Sequence, residues 1–302
     1  MHLAKAGFFY AQKFITMNEK LKIAVQKSGR LHDGSLSLLR ECGIKIENGF
    51  DQLIAPARDF PVEVLFLRNS DIPQYLEDGV ADIAILGENV VIEKEKEGEV
   101  VQQLGFSRCR LSLAIPRNEN YNGLQWFNNK RLATSYPNTL RKFLADNKLS
   151  AEIHEISGSV EIAPGIGLAD GICDLVSSGS TLFRNGLKEV EVILRSEACV
   201  VKGPVMNNAK AAITEEILFR IRSVLAARNN KYILLNAPDE KLPVIFDILP
   251  GMKSPTVMPL AMKGWSSVHS VISETDFWNV IGRLKKEGAE GILVIPIEKM
   301  VG

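Results

Sequence analysis

The sequence predicts an α/β protein that has two similar lobes and a separate C-terminal unit. From Leu21 onward, short apolar strands alternate with helical periods, which is typical of a mostly parallel sheet with helical crossovers. The same plan is repeated after Pro116, and β-like residues at 190–201 lead the chain back toward the first lobe. Because two crossings join the lobes, we expect a cleft between them.

The first lobe begins with a strand, a glycine turn and a helix. Residues 21–25 are apolar, Gly29 lies in the turn, and Leu31, Leu38 and Leu39 have helical spacing. The further predicted elements of this lobe are a strand at 62–67, a helix at 71–79, a strand at 81–86, a helix at 90–99 and an apolar stretch at 111–115.

The second lobe and the C-terminal unit follow from the same patterns. The second lobe is predicted to contain strands at 131–134, 153–156 and 174–176, with helices at 138–144 and before 171. A long amphipathic helix from about Ala209 leads to the C-terminal unit. There, strands at 232–235, 256–260, 268–272 and 292–297 are interrupted by helices at 241–249 and 277–284. This βαββαβ order is that of a ferredoxin-like motif.

These elements define the predicted domains. Residues 1–17 match nothing that follows, and we expect a disordered extension there. The first lobe is placed at 18–112 plus 195–228, the second lobe at 113–194, and the C-terminal domain at 229–302.

Composition excludes several classes of protein. Lys plus Arg equals Asp plus Glu at 36 each, so no global field favours nucleic acid or a membrane. The four cysteines have no paired spacing, which argues against a zinc site or a disulfide framework. No apolar run approaches the roughly 20 residues that span a bilayer, and the first residues lack the features of an export signal. We therefore expect a soluble, cytoplasmic protein.

The segment at 161–182, EIAPGIGLADGICDLVSSGSTL, joins acidic residues to a hydroxyl-rich glycine loop. Backbone N–H groups and hydroxyls of such a loop converge on a phosphate, and Gly179 permits close approach. Carboxylates suit a ribose because they accept hydrogen bonds from two vicinal hydroxyls. Together they predict a ribose-phosphate site, although the loop alone is more simply a strand-to-helix turn capped by Ser or Thr.

The full segment closely resembles the phosphoribosyl pyrophosphate loop of the long-form ATP phosphoribosyltransferases, and the resemblance runs from about Leu21 to Met300. Other blocks agree in family order: QKSGRL at 26–31, DIP at 71–73, LGEN at 86–89, CRLSL at 109–113, ATSYP at 133–137 and LVIPIEKM at 293–300. The resemblance implies a two-lobed, periplasmic-binding-protein-like catalytic region of type II, followed by a ferredoxin-like regulatory domain.

The resemblance also implies roles for residues that would bind the substrates. Glu161, Asp170 and Asp174 would hold the ribose hydroxyls or the magnesium shell, and Ser177, Ser178, Gly179, Ser180 and Thr181 would hold the 5-phosphate. Lys27 and Arg30 would face the pyrophosphate and the ATP phosphates. Glu88, Arg110 and Tyr136 would meet the second nucleotide, Tyr136 by stacking on adenine. The residue types leave alternatives open: a solvated position for Lys27, core packing for Tyr136 and an ordinary helix start for Glu88.

The implied reaction is attack of adenine N1 on the anomeric carbon of phosphoribosyl pyrophosphate, with inversion and loss of pyrophosphate. Lys27, Arg30 and Asp174 would be the catalytic residues, and Mg²⁺ brought by the substrate would share the neutralisation of the leaving group. Asp170 and Asp174 are the candidate magnesium ligands. No general base is required, because N1 of neutral adenine carries a lone pair. The four histidines form no cluster that would suggest another metal.

The C-terminal unit resembles the domain through which long-form enzymes bind histidine as a feedback inhibitor. The matching effector positions are Met252, Ser254, Thr256 and Gly291, although turn chemistry around Pro250 and Pro255 also explains these segments. AMP is a further implied effector, and the family forms dimers that assemble into hexamers. Without the resemblance, a solute-binding protein or a regulatory subunit that has lost catalysis would remain as alternatives.

Overall fold

The elements of the fold lie close to the segments that hydrophobic patterning predicts. The computed structural model describes residues 19–47, 52–95, 98–249, 251–252 and 254–301, so the predicted extension at 1–17 lies outside the described residues. The strands are β1 Leu21–Gln26, β2 Ile54–Pro56, β3 Val62–Leu67, β4 Ile83–Gly87, β5 Glu99–Gln103, β6 Cys109–Pro116, β7 Arg131–Thr134, β8 Glu152–Glu155, β9 Gly171–Val176, β10 Leu187–Ser196, β11 Ala198–Lys202, β12 Asn230–Pro238, β13 Thr256–Pro259, β14 Trp265–Ser273 and β15 Glu290–Pro296. The helices are α1 Arg30–Glu41, α2 Ile72–Glu77, α3 Glu88–Lys94, α4 Pro137–Asp146, α5 Ser180–Arg184, α6 Asn208–Arg228, α7 Leu242–Ile248 and α8 Phe277–Lys286.

The first sheet has six strands in the order β2-β3-β1-β4-β11-β5. The central strands β3, β1 and β4 run parallel, so their carboxyl ends meet at one edge. Ile23 and Ala24 of β1 are fully buried, as expected for a strand covered on both faces. This edge therefore collects the residues that follow each strand, among them Lys27, Asn69 and Glu88.

The second sheet has five strands in the order β10-β6-β9-β7-β8. Strands β7, β8 and β9 run parallel, whereas β6 runs antiparallel to β9 and β10. Two buried clusters cover its faces, one around Phe127 and Leu140 and the other around Ile172 and Val176. The carboxyl ends of β7 and β9 lead into Ser135 and Ser177.

The third sheet is antiparallel, with the order β13-β14-β12-β15. Helices α7 and α8 pack on one face over a core that includes Ile233, Ile245 and Leu284. Numbered along the unit, the strand order is 2-3-1-4, which confirms the predicted ferredoxin-like arrangement.

The described residues divide into two compact units between Thr214 and Glu215, with Glu41–Gly43 assigned to the second unit. The predicted domain boundaries differ from the structure in three places. β6 and β10 lie wholly in the second sheet, so the boundaries at 112/113 and 194/195 cut continuous hydrogen-bonded strands. The boundary at 228/229 is replaced by a division within α6. The crossings between the lobes are the short segments 104–108 and Glu197.

The predicted helix at 90–99 is shorter in the structure. α3 ends at Lys94 because Glu95 adopts a left-handed conformation with φ 49°, and β5 begins at Glu99. β5 pairs with β11 at the sheet edge, and its residues are largely exposed, so it lacks the apolar run that marks a strand in the sequence. No helix in the described parts of the chain is apolar over the length needed to cross a lipid bilayer.

Candidate active site

The carboxyl ends of the two parallel strand sets line one cleft between the lobes. The recess beside the loop has a volume of about 280 Å³. The residues that line it come from the first lobe, from the crossing and from the second lobe: Gln26, Arg30, Leu31, Asn69, Gly87, Asn89, Ser107, Arg108, Cys109, Leu175 and Ser177. Ligands of open α/β sheets bind at such edges, so the cleft is the candidate substrate site.

The predicted phosphate loop, Ser177–Thr181, joins β9 to α5. Gly179 has φ +79°, a left-handed conformation that glycine adopts without a steric penalty, and α5 begins directly after it. Ser177, Ser178, Ser180 and Thr181 are exposed at the cleft. The hydroxyls of Ser178 and Ser180 are 3.0 Å apart and hydrogen-bonded to each other. The loop therefore presents hydroxyls, and the unpaired N–H groups of a helix start, to an anion.

Arg30 reaches this loop from the opposite lobe. Its Nη1 donates a hydrogen bond to Ser177 Oγ at 3.1 Å. Arg30 is the first residue of α1, directly after Gly29, whose φ of +90° makes the turn from β1. Lys27 lies on the same turn and is exposed, as its solvated-position alternative requires, while remaining at the cleft edge of β1. The structure thus brings Arg30 to the loop and leaves Lys27 beside it.

Asp174 and Glu161 form an acidic pair next to the loop. Asp174 lies two residues before the end of β9, and Glu161 belongs to the short 3₁₀ turn Val160–Ile162 that packs on that strand. The pKa of Asp174 is raised to about 6, chiefly by burial and also by the nearby charge of Glu161, while the hydrogen bond from the Leu175 N–H opposes the change. A carboxyl pair held this way favours a ligand that supplies hydroxyl donors or a cation.

The structure does not bring Asp170 to the loop, which corrects that prediction. Asp170 precedes β9, so it lies at the opposite end of the strand, about 20 Å from Ser177 at 3.3 Å per residue. Its carboxylate accepts hydrogen bonds from Arg131, at 2.9 Å from both the backbone N and Nη2. The Arg131 guanidinium lowers the pKa of Asp170 for this reason. Asp170 is a structural ion-pair partner at the far edge of the sheet.

Arg110 is hydrogen-bonded within the protein, and its contact with a nucleotide stays a prediction. It forms a two-bond ion pair with Glu189 on the neighbouring strand β10. Its Nη1 donates to the carbonyl oxygen of Ser177 at 3.0 Å. Hydrogen bonds from Arg110 and then Ser112 lower the pKa of Glu189. Arg110 therefore supports the phosphate loop from beneath instead of offering a free guanidinium.

Tyr136 takes part in core packing, and Glu88 begins a helix, as the alternatives to their substrate roles predict. The Tyr136 ring packs against the second-sheet core, and its hydroxyl accepts a hydrogen bond from Asn89 Nδ2 at 3.0 Å. Burial, the largest cause, raises its pKa. Glu88 is the first residue of α3 and lines a separate recess of about 400 Å³. Tyr136 is half-buried and also lines a recess of about 380 Å³, so its stacking on adenine stays a prediction.

Comparison with known proteins decides the family. The chain matches the family model described as ATP phosphoribosyltransferase over residues 68–223, and the model of the HisG C-terminal domain over residues 227–299. An ATP phosphoribosyltransferase of Cytophaga hutchinsonii is 56% identical over 285 residues, covering 94% of this chain and 100% of the relative. This chain belongs to the ATP phosphoribosyltransferase family. It is a transferase that acts at the first step of histidine biosynthesis.

Further relatives agree with this family. An ATP phosphoribosyltransferase of Bacteroides thetaiotaomicron is 56% identical over 281 residues, covering 93% of this chain and 99% of its own. The structure of an ATP phosphoribosyl transferase (HisG:HisZ) complex from Thermotoga maritima matches with a TM-score of 0.59 and 30% identity, over 67% of this chain and 96% of that chain. Membership of the ATP phosphoribosyltransferase family excludes the solute-binding and inactive-subunit alternatives.

The predicted effector residues fall on two separate edges of the third sheet. Thr256 opens β13 and pairs with His269, and Met252 and Ser254 precede it; the neighbouring Lys253 and Pro250 lie outside the described residues. Gly291 lies on β15, at the other edge. Three strand spacings of about 4.8 Å separate these edges, or about 14 Å. One histidine molecule therefore cannot contact both groups within a single chain.

Several residues of the cleft were missed by the sequence analysis as individual contacts. Asn69 and Asn89 line the recess, and each directly follows a carboxyl end of a parallel strand of the first sheet. That position is the signal that could have identified them. Arg131 and Glu189 could not be found this way, because their partners lie 39 and 79 residues away along the chain.

Proposed function

We propose that this cleft transfers the phosphoribosyl group of phosphoribosyl pyrophosphate to N1 of ATP, giving N1-(5-phosphoribosyl)-ATP and pyrophosphate. The observation that carries the proposal is the contact of Arg30 with Ser177 at 3.1 Å, which brings a cation of one lobe onto the hydroxyl loop of the other. Each lobe thus supplies part of a site for two polyanionic substrates. Positioning them together provides much of the rate enhancement.

The 5-phosphate binds at Ser177–Thr181, and the ribose hydroxyls bind at Glu161 and Asp174. The exposed hydroxyls and the left-handed Gly179 support the phosphate position. The raised pKa of Asp174 supports the ribose position, because donors from two hydroxyls would stabilise the ionised carboxylate. The anomeric carbon then faces the cleft, where ATP can approach it.

Arg30 and Lys27 neutralise the pyrophosphate as it leaves. Arg30 already points at the loop, and Lys27 is exposed one turn away on the same edge of the first sheet. Cations fixed before the reaction stabilise developing negative charge without a cost in reorganisation. The ATP phosphates would also face Lys27 and Arg30 on the first lobe, and Glu88, at the start of α3, would lie near the nucleotide. No side chain has to remove a proton from N1 of adenine.

Magnesium bound to the pyrophosphate fits this site. Glu161 and Asp174 repel each other, and a divalent cation with oxygen ligands relieves such a repulsion. Asp170 does not fit, because Arg131 occupies its carboxylate. No group of three metal-binding side chains occurs within the described residues. The chemistry of magnesium at this site is charge neutralisation of the leaving group.

The C-terminal unit binds histidine as a feedback inhibitor, in a cytoplasmic enzyme that forms dimers and hexamers and also responds to AMP. One edge contributes Met252, Ser254 and Thr256, and the other contributes Gly291. Because the edges are about 14 Å apart, each would complete a histidine site with a second copy of the chain. Assembly and inhibition would then depend on the same surfaces.

The direct test is turnover of ATP with phosphoribosyl pyrophosphate and magnesium, followed by the absorbance of the product, with and without histidine. An Asp174→Ala variant is the control for the site. We expect product with the wild type, loss of product in the variant, and suppression by histidine. Product formation that is unchanged in Asp174→Ala would refute the assigned ribose contact.

A further inference from the structure

Helix α3 of the first lobe is hydrogen-bonded along one face to the second lobe. Asn89 and Glu93 lie four residues apart and therefore share that face. They are only 3% and 5% exposed. Buried amide and carboxylate groups are costly unless they are hydrogen-bonded, and here the side-chain partners belong to the second sheet and to α4.

Glu93 caps a helix that is not its own. Its carboxylate accepts hydrogen bonds from the backbone N–H groups of Asn138 and Thr139, both at 2.9 Å, and from Thr139 Oγ1 at 2.7 Å. The Asn138 side chain returns a bond to the Glu93 carbonyl at 2.9 Å. The first N–H groups of a helix have no partner within it, and α4 receives no side-chain cap from Tyr136 at its own N-cap position. A carboxylate from the other lobe supplies that cap and also complements the helix dipole.

Asn89 extends the contact toward the cleft. Its Nδ2 donates to the Tyr136 hydroxyl at 3.0 Å, and its Oδ1 accepts from Ser196 Oγ at 2.9 Å. Its backbone N–H donates to the same Ser196 oxygen at 3.0 Å. A side chain at Gly87 would place its Cβ 2.4 Å from Asn89 Oδ1, so this conformation of Asn89 depends on the glycine before it. Asn89 also lines the 280 Å³ recess.

A second contact between the lobes, between Arg30 and Ser177, is of another kind. There, Arg30 donates a single exposed hydrogen bond to Ser177. Exposed pairs contribute little to stability, whereas a buried carboxylate with three donors loses much when it is separated from them. The lobes are therefore held at the α3–α4 contact and are free to separate at the Arg30–Ser177 edge.

We propose that Glu93 is a positioning residue for phosphoribosyl transfer. With Asn89 it fixes the start of α4, and the strand end before it, against the first lobe, so that the cleft opens and closes about the α3–α4 contact. The proposal rests on the proposed function, because the distance it controls is the one between ATP on the first lobe and the phosphoribosyl loop on the second. Glu93 itself acts through α4, since its carboxylate is occupied by Asn138 and Thr139.

Glu93→Gln tests this with little change in shape. The glutamine side chain keeps one acceptor oxygen, but its NH₂ group faces one of the two backbone N–H groups that Glu93 accepts. The cap on Asn138 and Thr139 is therefore lost. We expect kcat to fall roughly 10- to 100-fold, the effect expected of a displacement of reacting groups by about 1 Å. The Kd of magnesium phosphoribosyl pyrophosphate, measured by calorimetry, should change much less than kcat, because its 5-phosphate and ribose contacts lie on the second lobe and only its pyrophosphate reaches Arg30 and Lys27 of the first. Glu93→Asp, which keeps the charge, should recover part of kcat.

The matched control is Asp146→Asn. This variant removes one charge from the exposed last residue of α4, the helix that Glu93 caps, and should leave kcat and Kd unchanged. Thr139→Val removes one bond of the cap and should lower kcat several-fold alone, yet add nothing in the Glu93→Gln background. Kinetics are read well below the melting temperature of each variant. A folded Glu93→Gln enzyme with kcat within about twofold of wild type overturns the proposal; if that variant does not fold, an unchanged kcat in Thr139→Val does so. Wild-type protein that binds neither substrate would instead refute the proposed site.

Discussion

Asp174→Asn should stabilise the ligand-free protein while it inactivates the enzyme. The folded-state pKa of Asp174 is raised from 3.8 to about 6. Well below pH 3.8 the carboxyl is protonated whether the chain is folded or unfolded, so the group costs nothing there. As the pH rises from about 4 to about 6, the unfolded chain releases this proton more readily than the folded protein, in which the charge is buried beside Glu161, and stability is lost until the loss is complete above about pH 6. At 1.36 kcal/mol per pKa unit, the cost at pH 7.5 is about 3 kcal/mol.

Asparagine has the same shape, can still accept the Leu175 N–H and can donate to Glu161. At pH 7.5 we expect the melting temperature of the ligand-free variant to rise by roughly 5–10 °C, and kcat/KM to fall by roughly 100-fold or more because the ribose contact is lost. At pH 4.5, where only about a third of the penalty has developed, the gain in melting temperature should shrink to about a third. Differential scanning calorimetry at both pH values, beside product absorbance, gives the two readouts.

Asp170→Asn is the matched control with the opposite sign. Arg131 lowers the pKa of Asp170, so this carboxylate contributes stability above its ordinary pKa that is lost as the pH falls. The variant should melt below wild type at pH 7.5 and keep its activity. A lower melting temperature for Asp174→Asn at pH 7.5, or a gain that is equally large at pH 4.5, would refute the assignment of a buried, unfavourable charge to Asp174.

Four further outcomes test the rest of the site. Arg30→Gln should lower kcat/KM roughly 100-fold, measured by product absorbance, with little change in melting temperature, because its bond to Ser177 is exposed; an unchanged kcat/KM would contradict its role. Gly179→Ala places a side chain at φ +79°, at a cost of about 1–2 kcal/mol, and should raise the KM of phosphoribosyl pyrophosphate several-fold in steady-state assays. Gly291→Ala brings a Cβ to 3.2 Å from Asn236 Nδ2 and should weaken histidine inhibition, read as a higher inhibition constant, while turnover without histidine is retained. Removal of magnesium by EDTA should abolish turnover, and added Mg²⁺ should restore it.

Local sequence patterns predicted most of the fold because alternation and helical spacing are local properties. The strand at 62–67 has the predicted bounds. In the C-terminal unit, the turns between elements indicate the ferredoxin-like order of strands and helices. β5 was missed because its residues at the sheet edge are exposed. The domain boundaries were misplaced because β6 and β10 are fixed by pairing with distant strands, which hydrophobicity alone does not reveal.

The sequence was sufficient to predict which segment forms the candidate site, but not how its side chains are arranged in space. Strand β9 and its glycine loop are adjacent in sequence, so the phosphate loop could be identified directly. The roles of Asp170 and Asp174 could not be separated, because both are acidic residues of one motif. Their difference arises from the Arg131 guanidinium, 39 residues from Asp170, and from the turn that places Glu161 over Asp174. Only the paired strands bring these groups together.

The carboxylates of the two lobes differ in how many hydrogen bonds they accept from the protein, and this difference indicates which of them a ligand would contact. Glu93 and Glu189, like Asp170, accept hydrogen bonds from two or more donors of the protein, and these bonds hold strands and lobes in register. Asp174 accepts one backbone N–H and faces the charge of Glu161. We expect hydroxyl donors or a cation of the proposed substrate to complete this unfavourable pair, because either would stabilise the ionised carboxylate. The instability of Asp174 without ligand would then favour the binding of a ribose phosphate.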